Sequence, residues 1–403
     1  MSTKKQKLDP FTGLRALACS SVILSHCSNE NRPVDITLSY SGQQAVAFFF
    51  VLSAFILTKN IMGEIETVKN RPPKLFMGQG LLKFFLRRFL RLYPPFMVSV
   101  LFYHYLNPPH TWADVVFFKY TFRHFWYMKV ELILSLLMLP MWFIFYSALM
   151  IGLSKIMSST NYQRANLAFH AFTCSLPFII SYYRWKLSFY WDPLDDYWPQ
   201  KVIFFYGYSS GILSFLINKY DLTPKIDTDL SRYALNIAIY LSLIGIYFNN
   251  PGTLWNVFHI GNGQRPDDHS WFIDVLKYMS VYALFVFLVD LAPEKSHFYQ
   301  FLNLKYIYLF GKASYSIYLV HGVPLDVLRD HGKLIGVHLL TYTFLFSVVM
   351  GTLFYNLVEH PCIKLAQILV PPILKYYKMI ADNIKSRFNK NPRYSVQVNL
   401  NET

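Results

Sequence analysis

A chain of 403 residues in which 54% are hydrophobic, 18% aromatic and only 15% charged is too apolar for an ordinary soluble domain and reads as a membrane protein. The formal net charge of +15 does not point to nucleic acid, because no basic stripe interleaved with base-stacking aromatics accompanies it. Lys and Arg gather instead between apolar runs, as they do in cytosolic loops of membrane proteins.

Lys4, Lys5 and Lys7 precede the first apolar run, but Arg15 and His26 interrupt it and no clean small-residue cleavage site follows. It is therefore expected to be a retained transmembrane helix rather than a signal peptide. Apolar runs approaching the ~20 residues of a helical span fall at 11–27, 43–61, 90–106, 132–152, 167–182, 201–217, 233–248, 273–291, 306–323 and 335–357. They predict an all-α, polytopic transmembrane helix bundle of about ten spans. Summed over alternate segments, Lys and Arg number roughly 26 on the side of the termini and roughly 10 on the other, which makes both termini cytosolic. The far-side loops are aromatic or acidic: 107–131 holds Trp112, His124, Trp126 and Glu131, 183–200 holds Trp191, Asp192, Asp195 and Asp196, and 249–272 holds Asp267, Asp268 and His269. Tryptophans at span ends are read as interfacial anchors before any acceptor-binding role. After Pro371 and Pro372, Ile373, Tyr377, Ile380, Ile384 and Phe388 share one helical face, with lysines elsewhere. The chain thus divides into a transmembrane domain, 1–365, and a basic amphipathic cytosolic tail, 366–403, expected to lie on the inner leaflet.

Ionisable groups inside spans are costly, so each is a candidate site residue. Arg15 and His26 are eleven residues apart, which puts them on one helix face about 16 Å apart along the axis. Arg88 and Arg91, three apart at the mouth of the third span, form a ridge suited to phosphate oxygens. Headgroup snorkelling and topology determination are the plain alternatives for these arginines. Glu131 opens the fourth span on the His26 side, His321 sits near the far end of the ninth, and Glu359 closes the tenth. Ser53 reads first as a helix-packing contact. Cys19, Cys27, Cys174 and Cys362 form neither a disulfide framework nor a CxxC pair, so no metal is expected. Phosphate-loop, dinucleotide and HExxH signatures do not occur.

Five of these stretches, in order, resemble the acyltransferase-3 family, polytopic enzymes that acylate sugars, lipids and related acceptors at membranes. Gly13-Leu14-Arg15 through His26 is similar to the family's Arg-x10-His first helix, and Phe48–Leu57 to its FFVLSGF segment, with Ala54 in place of Gly. Arg87-Arg88-Phe89-Leu90-Arg91 followed by Pro94 resembles RRxxRxxP. Trp126 to Glu131 resembles WSLxxE with Tyr127 for Ser, and Ser314–His321 with Glu359 and Pro361 resembles the family's ending. Thr12 stands where the family usually has Asp. The resemblance covers about residues 8–365 and implies an acyl-CoA donor, most often acetyl-CoA, entering from the cytosol. It implies that Arg15, Arg88 and Arg91 hold the donor phosphates, with Lys83 and Arg87 as weaker candidates. His26 is then the base or the acyl-carrying nucleophile, and the two roles stay open. Glu131 is expected to orient His26 or the acceptor, and His321 to contact the acceptor or donate to an oxyanion. The partners expected are the bilayer, the donor and a hydroxyl acceptor of unknown identity, with no nucleic acid. The location is a multi-pass one in endoplasmic reticulum, Golgi or plasma membrane. The rival reading is a non-catalytic transporter or lipid-handling protein on the same scaffold.

Overall fold

The computed structural model describes residues 9–30, 36–65, 74, 77–106, 126–187, 198–219, 228–248, 281–330, 334 and 336–390, and the described residues are helical with short connections and no strand. We label the helices α1 (Pro10–Glu30), α2 (Ile36–Ile65), α3 (Gln79–Leu106), α4 (Trp126–Ile133, continued by a π-helical turn Leu134–Met138 and by Leu139–Ile156), α5 (Ser159–Leu187), α6 (Trp198–Lys219) and α7 (Asp229–Phe248). They are followed by α8 (Val281–Leu291), α9 (His297–Leu302), α10 (Lys305–Val320), α11 (Gly322–Asp330) and α12 (Gly336–Phe354, a π-helical turn Tyr355–Glu359, and His360–Lys390). Every apolar run of the sequence coincides with one of these, although 273–280 lies outside the described residues. So do Trp112, His124, Trp191, Asp192, Asp195, Asp196, Asp267, Asp268 and His269.

Among the described residues, three helices are long and apolar enough to cross a membrane, by length and composition: Ala45–Ile65, Glu131–Ile156 and Val337–Asn383. The first is 72% buried inside the protein and the last 22%, so α2 is central and α12 peripheral. On α12, Leu345, Val349, Leu353 and Leu357 recur every four residues and are all exposed, an apolar stripe that suits a lipid-facing wall. Pro371 and Pro372 do not break α12, which continues through them to Lys390. The amphipathic tail is therefore a continuation of the last span's helix. Its residues after 390 lie outside the described part.

Local chemistry starts the helices where they start. The Asp9 carboxylate accepts from the Phe11 N–H at 3.2 Å and from the Thr12 hydroxyl at 3.4 Å, capping α1 with Pro10 in the first position. Ser296 caps α9 in the same way through the Tyr299 N–H at 3.2 Å.

Glycines set how the helices approach. A Cβ at Gly311 would strike the Thr12 carbonyl, one at Gly207 the backbone at Val51, and one at Gly211 the carbonyl of Phe55. Close backbone approach through small residues is how helices associate where lipid supplies no hydrophobic drive. These contacts also fix direction. Thr12 meets Gly311 and His26 meets His321, so α1 and α10 run parallel. Val51 meets Gly207 and Phe55 meets Gly211, so α2 and α6 do too. Helix α12 runs against α3, with Glu359 beside Arg91 and Tyr377 beside Gly78. Alternating crossings require these same directions of the first and ninth runs, the second and sixth, and the third and tenth.

Candidate functional site

The site is built on α3, α1 and α10, with a glutamate from each of α4 and α12. On α3, Arg88 and Arg91 stand one turn apart, and the prolines that follow loosen that turn. Pro94 and Pro95 lack the N–H groups that would bond the carbonyls of Leu90 and Arg91. One residue on, the Leu92 carbonyl accepts a 2.6 Å bond from the Tyr315 hydroxyl of α10, which stitches the two helices at this point.

Each arginine faces a buried carboxylate. Arg88 donates to Glu131 in a closed ion pair whose side chains are 15% and 3% exposed. Arg91, 46% exposed, holds its Nε 4.0 Å from Glu359 Oε1, while Glu359 itself is fully buried. The other Glu359 oxygen accepts from the Ser316 hydroxyl at 2.6 Å. Arg15 of α1, half-buried, lies within electrostatic reach of Arg91, Asp9 and Arg88. Ser53 of α2 lies close enough to both Tyr127 and Glu131 to interact with them.

The second half of the site lies at the far end of α1. The His26 and His321 rings meet edge to face, 5.0 Å between centroids and 79° between planes. His321 is buried, and its Nδ1 lies 2.6 Å from the Tyr318 carbonyl. A carbonyl only accepts, so Nδ1 carries the proton, and in the neutral ring the lone pair is on Nε2. That tautomer suits proton acceptance at Nε2; donation to an oxyanion there would need the charged ring. Between the two halves runs a relay of rings: Phe50 to Tyr127 at 4.6 Å, Tyr127 to Tyr318 at 5.4 Å, and Tyr318 to His321 at 5.6 Å. Cys19, on the α1 face between Arg15 and His26, is buried with its thiol donating to the Ser314 carbonyl at 3.4 Å.

The structure thus brings Arg15, Arg88 and Arg91 together, and His26 with His321. It departs from the sequence reading at Glu131. The expected position, beside His26 and away from the arginines, is replaced by an ion pair with Arg88. The reason is depth. Helix α3 begins at Gln79 and α4 at Trp126, so Arg88 is nine residues and Glu131 five residues inside their helices. At 1.5 Å per residue these offsets are about 14 and 8 Å, most of a ~30 Å hydrocarbon core, so groups assigned to opposite mouths meet.

Four features have no counterpart in the sequence reading. Ser316, within Ser314–His321, takes part through the hydrogen bond it donates to Glu359. Both glutamates sit at π-helical turns, Glu131 just before one and Glu359 inside the other; such turns recur at functional sites. Away from the arginines, Lys59 bonds Asp290 at 2.5 Å while Ser214 donates to the other Asp290 oxygen, tying α2, α6 and α8. Tyr146 likewise donates to Asn166 at 3.1 Å and lies 3.2 Å from His170 Nε2, joining α4 to α5.

An all-helical bundle with helices fit to cross a bilayer, carrying arginines against buried carboxylates at one level and a histidine pair at another, has the frame of a membrane protein with ionisable groups held among its helices. The model of the acyltransferase-3 family, described as an acyltransferase domain, matches residues 9–355, and the chain belongs to that family. The family is membrane-associated, in keeping with the apolar helices. No curated protein and no solved structure matches the chain.

Proposed function

We propose that this protein is a membrane-bound acyltransferase that moves an acyl group, acetyl first among the candidates, from cytosolic acyl-CoA to a hydroxyl of a carbohydrate, lipid or similar acceptor. The observation that carries this reading is the division of the site along α1, with Arg15 beside the α3 arginines at one end and His26 on His321 at the other. About 16 Å of helix separates Arg15 from His26, a distance that an extended pantetheine arm can bridge. In this reading about ten spans cross the bilayer, both termini are cytosolic, and the protein resides in endoplasmic reticulum, Golgi or plasma membrane. Arg15, Arg88 and Arg91 supply positive charge for the donor phosphates.

At the other end, a histidine Nε2 takes the acceptor's hydroxyl proton as the alkoxide attacks the thioester carbonyl. The C–S bond then breaks, and the histidine returns the proton to the departing thiolate, which leaves as CoA thiol. His26 fills this role directly, or takes the acyl group first as a nucleophile. His321 contacts the acceptor, with its Nδ1–H tied to Tyr318. Glu131, ion-paired to Arg88, keeps that arginine in place.

The test uses purified full-length protein with acetyl-CoA labelled on the acetyl group, following donor binding and CoA release separately. Native protein is expected to bind and turn over the donor, and His26→Ala to bind it with turnover reduced by about two to four orders of magnitude, the usual worth of a general base. Folded native protein that neither binds nor consumes acetyl or longer acyl-CoAs would overturn the reading in favour of transport.

A further inference from the structure

The two arginines of α3 are held in different ways, and the difference has chemical content. Arg88 is closed onto Glu131, and both side chains are largely withdrawn from solvent. Arg91 is nearly half exposed, and its Nε is 4.0 Å from a carboxylate oxygen, too far for a hydrogen bond. That oxygen, Glu359 Oε1, is buried and has no hydrogen-bond partner among the described residues. Its twin, Oε2, is drawn towards α10 by the Ser316 hydroxyl at 2.6 Å.

We infer that Glu359 is the counter-ion of Arg91 in the donor-free protein and that Ser316 holds it at arm's length, so that Arg91 exchanges its carboxylate for a donor phosphate while Arg88 stays with Glu131. This rests on the acyl-CoA reading above and sharpens it, assigning the phosphate exchange to one arginine and naming two positioning residues that set its readiness. A buried carboxylate with an unsatisfied oxygen is drawn to the nearest cation, because burial without a partner is costly. Left alone, Glu359 would close on Arg91 as Glu131 closes on Arg88. The Ser316 hydroxyl satisfies one of the two carboxylate oxygens, the one that does not face Arg91 Nε. The guanidinium therefore keeps both its exposure and its open coordination. The phosphate of a nucleotide donor offers Arg91 paired oxygens in the planar geometry that its fork accepts. The carboxylate then needs only Ser316 and the remaining field of Arg15, which lies within electrostatic reach of it. The π-helical turn Tyr355–Glu359 carries the glutamate at this point, next to the helix that follows it on the outside of the bundle.

The geometry predicts effects of opposite sign from two small substitutions. Glu359→Gln keeps the Ser316 hydrogen bond and removes the competing charge. It is expected to tighten CoA binding about three- to tenfold and to raise site-resolved phenylglyoxal labelling of Arg91 by a similar factor, the range for a partly exposed ion pair. Ser316→Ala releases the carboxylate towards Arg91 and is expected to weaken CoA binding and slow Arg91 labelling. Arg88 is expected to stay poorly labelled in all three proteins. CoA itself is the binding probe, titrated into purified full-length protein, and labelling is read by peptide mass spectrometry. Unchanged Arg91 labelling in Glu359→Gln, or a shift of the same sign in both variants, overturns the inference. Native protein that binds no CoA while the labelling shifts run in opposite directions would instead sink the donor reading and leave the carboxylate exchange standing for some other anion.

Discussion

Removing the charge of Glu131 tests the central ion pair directly. The carboxylate is 3% exposed and its partner Arg88 15%, so in Glu131→Gln the guanidinium stays in a medium that solvates it poorly. Two unit charges about 4 Å apart attract by about 4 kcal/mol at an effective dielectric constant of about 20. Breaking buried pairs by removing one partner costs about 3–5 kcal/mol for the same reason. Glutamine keeps the shape and one acceptor oxygen, which places the expected loss near the lower end, about 3 kcal/mol. The assay is equilibrium unfolding in mixed micelles titrated with a denaturing detergent, followed by far-ultraviolet circular dichroism. Arg88→Met combined with Glu131→Leu removes both charges, and its expected stability is within about 1 kcal/mol of native, because a buried pair returns little more than it costs to desolvate. A Glu131→Gln protein as stable as native would refute the reasoning, since it would mean that water reaches Arg88. A double variant less stable than either single one would refute it too, because some other partner would then be holding the residues.

Three further outcomes follow from the packing. Gly311→Ala puts a methyl group against the Thr12 carbonyl and is expected to separate α1 from α10, lowering thermal stability and abolishing CoA turnover together; Gly63→Ala, where nothing lies within 4 Å, serves as the tolerated control. Lys59→Met leaves Asp290 with Ser214 alone, and because Lys59 is 27% exposed the expected cost is about 2 kcal/mol in the same unfolding assay, below that of a fully buried pair. Tyr315→Phe removes the donor to the Leu92 carbonyl and is expected to cost about 1 kcal/mol, with CoA affinity falling more than stability because the arginine turn loses its anchor to α10.

The helices were legible because apolar runs of near-spanning length have few alternatives in a chain this poor in charge, and each run lies on a helix wherever residues are described. The joining of Arg15 to the α3 arginines and of His26 to His321 was legible in part. The eleven-residue spacing on α1 fixes one face, and alternating crossings put His26 and His321 on the same side, but which helices neighbour α1 comes only from the packing. Glu131 was misplaced because a sequence gives the span but not the depth at which a helix begins. Trp126 to Val130 reads as an aromatic loop and turns out to be the first turn and a half of α4. The Ser316–Glu359 bond was out of reach for a different cause. It joins residues 43 apart in sequence, and no local pattern reports a hydroxyl on one helix that restrains a carboxylate on another.

The π-helical turn on α12 explains why Glu359 reaches the site at all. Leu339, Thr343, Ser347, Gly351 and Glu359 all face inward, at intervals of four or eight residues. In an α-helix four residues advance about 400°, so each step drifts about 40° around the axis. Over the twenty residues from Leu339 to Glu359 the drift would reach about 200° and turn the glutamate towards the lipid side. The His360 N–H instead bonds the Tyr355 carbonyl, five residues back, which inserts one extra residue into the turn. One residue is worth about 100° of rotation, so the turn removes about half of the drift and leaves the rest to helix curvature. A carboxylate that would otherwise face hydrocarbon, where it is costly, is thereby delivered to Ser316 and Arg91.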